Sequence, residues 1–152
     1  MDVEIDQSGR IEYTKHATAL ALSDGISFSL LIPATVKRAC IRTLRRQGLT
    51  GPTFYVQLFA TGLFFLLKDH IEVLTQVVID VEYTGKETQI KEHLINLLRR
   101  AGREVEPWKI QFQQIGKKSP AHELALDTFR GDREPDIVLT QEDILGEFRK
   151  QK

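Results

Sequence analysis

The chain has one cysteine, one methionine and one tryptophan among 152 residues, and no net charge remains once 21 basic residues are set against 21 acidic ones. The single cysteine, Cys40, excludes an internal disulfide and suits a reducing compartment, so a cytoplasmic location is expected. It falls on a helical apolar face, where a free thiol acts as a small core residue. Balanced charge by itself names no partner. The opening residues, Met-Asp-Val-Glu-Ile-Asp, carry acids where a secretory leader would need a cationic and then an apolar stretch. The longest apolar run, 54–67, is short for a bilayer and contains Gln57, Thr61 and Gly62, which predicts a buried helix and no membrane partner. A glycine-rich phosphate loop, a Cys/His zinc spacing and a Ser or Cys nucleophile elbow are all missing. Their absence disfavours P-loop or Rossmann nucleotide binding, structural zinc and covalent hydrolase chemistry.

What is present suits one ordinary α/β domain over 1–152. Hydrophobic residues make up 41% and charged residues 28%, and a chain of this length buries roughly 70% of its unfolded surface without staples. Residues 3–6 read as a strand ending at Asp6, followed by a Gln7-Ser8-Gly9 turn. A second strand is expected over 11–22, with Asp24-Gly25 as a hairpin signal and a third strand over 26–32. Val36, Ala39, Cys40 and Leu44 recur at helical spacing up to residue 47, with Gly48 as the stop. Pro52 opens a second, nearly all-apolar helix to about Leu67. The β-branched run 77–83 predicts a fourth strand. Thr84 and Glu87 match a capping box for a helix closed by Gly102. A fifth strand is expected over 108–115, a helix from Ser119-Pro120 to about Arg130, and a short last helix capped by Thr140. The expected fold is therefore a mixed five-stranded sheet, β-β-β-α-α-β-α-β-α, with helices on both faces.

The acidic residues stand out by position. Asp6 ends the first strand. Asp80 and Glu82 are two apart on the fourth and share a face. A carboxylate in such an apolar run costs free energy unless it is paired or metal-bound. Glu123 and Asp127, four apart on the last long helix, also share a face, and His122 points about 100° round that helix. Each has a plain alternative: a turn residue for Asp6, a solvated strand end for Glu82, a helix-dipole charge for Glu123, a partner of Arg130 for Asp127, a surface or capping role for His122.

Three antiparallel strands, a helical segment and then strand-helix-strand-helix resemble the layout of the RNase H-like superfamily. Val3-Glu4-Ile5-Asp6-Gln7-Ser8-Gly9 looks like that superfamily's opening strand with its terminal aspartate. Residues 77–82 look like its fourth strand, which in resolvase-type members ends in an acid. Leu124-Ala125-Leu126-Asp127 looks like its acidic last helix. RNase H itself carries a glutamate on the first helix, whereas residues 35–47 hold no acid, so the chain is more similar to RuvC-type Holliday-junction resolvases. The resemblance implies a divalent-metal-dependent nuclease, with Asp6, Asp80 or Glu82, and Asp127 gathered round Mg²⁺ or Mn²⁺. Glu123 or His122 would be a further ligand, or His122 a general base. Two such ions about 4 Å apart activate a water and stabilise the leaving oxygen of a phosphodiester. It also implies a homodimer. A non-catalytic member that binds nucleic acid or protein is the alternative.

Local charge agrees with a nucleic-acid partner, DNA or RNA. Lys37, Arg38, Arg42, Arg45 and Arg46 share one helix without a compensating acid, and Arg38, Arg42 and Arg45 form a stripe suited to phosphates. Lys117 and Lys118 precede the last long helix, where a phosphate would meet its N-terminus.

Overall fold

The computed structural model describes residues 1–49 and 51–150, with Pro52 through its backbone alone. Three strands open the chain: β1 (Asp2–Ser8), β2 (Thr18–Ser23) and β3 (Phe28–Ile32). Helices α1 (Ala34–Arg46) and α2 (Gly51–Leu67) follow, then β4 (Gln76–Asp80), α3 (Glu87–Arg100), β5 (Ile110–Gln113), α4 (Pro120–Arg130), β6 (Ile137–Val138) and α5 (Gln141–Arg149). The result is an α/β fold with a mixed six-stranded sheet, ordered β5-β4-β1-β2-β3-β6. β1, β2 and β3 pair antiparallel, while β4 lies parallel to β1, β5 to β4 and β6 to β3. The sixth strand is two residues long and escapes a periodicity argument. It is fixed by Asp136, whose Oδ2 accepts the Ser29 N–H at 2.8 Å.

The two faces of the sheet differ in kind. Val3, Ile5, Leu20, Leu22, Leu30, Ile32, Val77 and Ile79 point to one side and join α1, α2, α3 and α5 in the main core. Alternation sends Glu4, Asp6, Ala19 and Ala21 to the other side. There α4 packs against β1, β2 and β3, and Ala21 meets Leu124 and Ala125. Asp6 therefore lies on the thinly covered face. Among the described residues no helix is long and apolar enough to cross a membrane.

Several boundaries depart from sequence expectation. The second strand begins at Thr18, not Ile11. Residues 9–17 instead form an irregular loop whose carbonyls are claimed by side chains. Gly9 makes its first bend at φ +80, where a Cβ would sit 2.3 Å from the Ala17 carbonyl oxygen. The fourth strand stops at Asp80, so Glu82 stands in the connection after it. The fifth is shortened to 110–113 by a 3₁₀ turn at Pro107–Lys109. No side chain caps α3, so the Thr84/Glu87 box does not form. Ser119 does cap α4, its Oγ accepting the Ala121 N–H, and Thr140 forms a reciprocal box with Asp143 on α5.

Lys37 is the largest correction. It is expected among the nucleic-acid-binding residues of this helix, but it is wholly buried. Its Nζ donates to the carbonyls of Arg10 (3.1 Å) and Tyr13 (2.9 Å) and to Thr18 Oγ1 (3.1 Å). An ammonium has three N–H donors, and all three are used. Lys37 fastens the β1–β2 loop and cannot reach a phosphate.

Candidate metal centre

The site is assembled by strand register. β1 and β4 run parallel with Ile5 beside Ile79. One further step sets Asp6 beside Asp80, and Glu82 follows on the same side. A carboxylate oxygen from each of Asp6, Asp80 and Glu82 lies within 4.8 Å of the others. These three groups could hold a metal ion. Asp6 is 4% exposed, and Asp80 and Glu82 are half-buried.

Each acid is oriented by a neighbour. Asp6 Oδ1 accepts the Gln7 N–H at 2.8 Å, and its Oδ2 lies 2.8 Å from His122 Nδ1. Where the carboxylate accepts that bond, the imidazole donates it through Nδ1. Asp80 Oδ1 accepts the Ile115 N–H at 2.6 Å, tying the connection between β5 and α4 to the site. Burial, with the neighbouring carboxyls of Asp80 and Asp6, pushes Glu82 up to about 8. Crowding of like carboxyls and burial favour the protonated form of Glu82.

Arg10 flanks the cluster and was not expected from sequence. Its Nη1 donates to the Glu82 carbonyl at 2.8 Å and lies 3.9 Å from Glu82 Oε2. Its Nε donates to Glu12 at 3.0 Å, and its guanidinium lies 4.6 Å from the centre of the Tyr83 ring. Tyr83 Oη in turn accepts the Ile11 N–H and donates to Gln7 Oε1. The usable signal was position: Arg10 follows the Gly9 bend directly after the strand that carries Asp6.

The last-helix acids lie elsewhere. Asp127 is five residues beyond His122 and so about 140° round α4. Glu123 and Asp127 border a separate shallow depression with Ser23, Ser27, Leu124 and Arg133. The helix brings His122 to the cluster in place of an acid. Of the expected phosphate ligands, Arg38, Arg42 and Arg45 are exposed on α1, and Lys117 and Lys118 are exposed in the turn before α4.

Three carboxyl groups with an adjacent histidine form an oxygen-rich donor set of the kind hard cations take. Compared with known proteins, the chain finds no significant match among protein-family models, curated proteins or solved structures.

Proposed function

We propose that the chain is a divalent-metal-dependent nuclease of RNase H-like architecture, nearer the RuvC-type resolvases than RNase H. The observation that carries this reading is the meeting of Asp6, Asp80 and Glu82 within 4.8 Å. Sheet order supports it, with a β1–β2–β3 meander and parallel β4 and β5 added beside β1. So does the basic stripe Arg38, Arg42 and Arg45, whose affinity for phosphates would be salt-dependent and indifferent to sequence.

In this reading Asp6, Asp80 and Glu82 hold Mg²⁺ or Mn²⁺. Bound there, such an ion would supply an activated water and charge stabilisation at the phosphoryl oxygens. Asp6 would be a ligand held in place by His122 and by the Gln7 N–H. Glu82 would serve as a ligand in its deprotonated form. His122, held through Nδ1, has Nε2 available to accept a proton from the attacking water. Arg10 keeps the Glu82 segment in place through the carbonyl bond.

The test is cleavage of labelled single-stranded, duplex and four-way-junction DNA and of an RNA–DNA hybrid, with Mg²⁺, Mn²⁺ or EDTA. Metal-dependent cleavage that Asp6→Asn lowers by roughly three orders of magnitude is the expected result, reflecting several kcal/mol of lost transition-state stabilisation. Equal products from wild type and Asp6→Asn would sink the nuclease reading.

A further inference from the structure

The loop between β1 and β2 is built with unusual rigidity for a segment without regular structure. Lys37 holds the Arg10 and Tyr13 carbonyls from below. Arg38 Nη1 donates to the Thr14 carbonyl at 2.8 Å. Tyr83 Oη takes the Ile11 N–H at 3.0 Å. His16 lies edge-on to Phe129 of α4, with ring centres 6.4 Å apart. A buried ammonium is a costly fastener, since a well-packed apolar side chain commonly serves stability as well or better. Its use here indicates that the shape of this loop matters.

What that shape presents is an aromatic ring among cations. Tyr13 is 58% exposed, on a backbone fixed through its own carbonyl. Lys15 and His16 are exposed beside it. Arg38 is bonded to the next residue, and Arg42 follows one turn along α1. The loop's acid, Glu12, is turned inward to Arg10. Three residues before Tyr13, Arg10 reaches the Glu82 segment, so ring and acid cluster belong to one connected unit.

We propose that Tyr13 is a stacking platform for one unpaired nucleobase, with Lys15 and Arg38 meeting the adjoining phosphates. This deepens the nuclease reading and rests on it for the chemical class of ligand. It narrows the substrate to nucleic acid with an unpaired base. Aromatic rings accept any base face, whereas a continuous duplex offers none. A ring carried on a fixed backbone also loses less freedom on binding than one on a mobile loop.

The experiment measures affinity by fluorescence anisotropy in EDTA, so that it is independent of metal. The probes are a labelled oligothymidylate and a blunt duplex of equal length. Tyr13→Ala is expected to weaken the single strand by roughly tenfold, to leave duplex affinity unchanged, and to be rescued by Tyr13→Phe. Wild-type affinity in Tyr13→Ala would overturn the inference. So would an equal loss on both probes, or no binding of either probe by wild type. The two readings fail separately: a silent Tyr13→Ala beside metal-dependent cleavage rejects only the stacking platform. A Tyr13 effect without metal-dependent cleavage rejects only the nuclease.

Discussion

Two buried charge groups lie on either side of the β1–β2 loop, and they are built oppositely. On the α1 side, Lys37 has every donor matched by a carbonyl or hydroxyl. On the α4 side, Asp6, Asp80 and Glu82 crowd like charges together, and Glu82 holds its proton to about 8. Arg10 approaches the Glu82 carboxylate no nearer than 3.9 Å. The difference separates a buried charge with every partner in place from a cluster of like groups without them. A satisfied buried charge fixes a shape, while a frustrated cluster stores a demand for a cation, and such perturbed groups concentrate at working sites.

The comparison can be broken first at Lys37. Lys37→Ala should destabilise the chain by about 3 kcal/mol, through the cavity and the stranded Arg10 and Tyr13 carbonyls. Chemical denaturation checks this, and a change below about 0.5 kcal/mol would deny the fastening role. Burial lowers the Lys37 ammonium to about 8, below its ordinary 10.5. Its folded form therefore binds fewer protons than the unfolded chain between those values, and this group alone adds stability as pH rises through that window.

Glu82 gives the opposite sign, at lower pH. Folded Glu82 keeps its proton to about 8, whereas an unfolded glutamate loses it near 4.5. Without metal, the folded state binds more protons through that window, so stability falls as pH rises from about 4.5 to about 8. Glu82→Gln should flatten that fall and raise metal-free stability near pH 8 by about 1 kcal/mol, or roughly 3 °C in melting temperature. Thermal melts of both proteins across the window decide it. A melt of Glu82→Gln that tracks wild type at every pH would show that the cluster is not frustrated.

The smallest effect is expected at the other acidic pair. Glu123→Gln and Asp127→Asn should each change stability by no more than about 0.5 kcal/mol, as exposed or half-exposed charges do. Neither should alter the response to Mn²⁺ in a melting titration. A lost response in Asp127→Asn would return that residue to the metal shell.

These contrasts also mark where sequence reading works. Asp6 on the first strand and Asp80 on the fourth were legible from period-two alternation, but the first strand runs on to Ser8 rather than ending at Asp6, and Glu82 lies beyond the end of the fourth. The Ser119 and Thr140 caps were legible because their chemistry is local. Lys37 was read by charge and not by spacing. Residues 37, 40, 41 and 44 form the buried face of α1, and that i, i+3, i+4, i+7 pattern was available. The 11–17 segment looked like strand because Ile11, Tyr13 and Thr14 have strand propensity, yet distant Lys37 and Tyr83 supply its partners. The choice of His122 over Asp127 depends on the rotation of α4 about its axis. Packing of Leu124 and Ala125 on Ala21 sets that rotation, and nothing within the helix sequence does.

The most direct test of the frustrated cluster is a melting titration with Mn²⁺ and Mg²⁺ on wild type, Asp6→Asn and Asp127→Asn near pH 8. The account predicts a saturable rise for wild type and Asp127→Asn, worth about 2.7 kcal/mol at a hundredfold excess over Kd, and none for Asp6→Asn. A wild-type melting temperature indifferent to both ions, or a rise undiminished in Asp6→Asn, would contradict it.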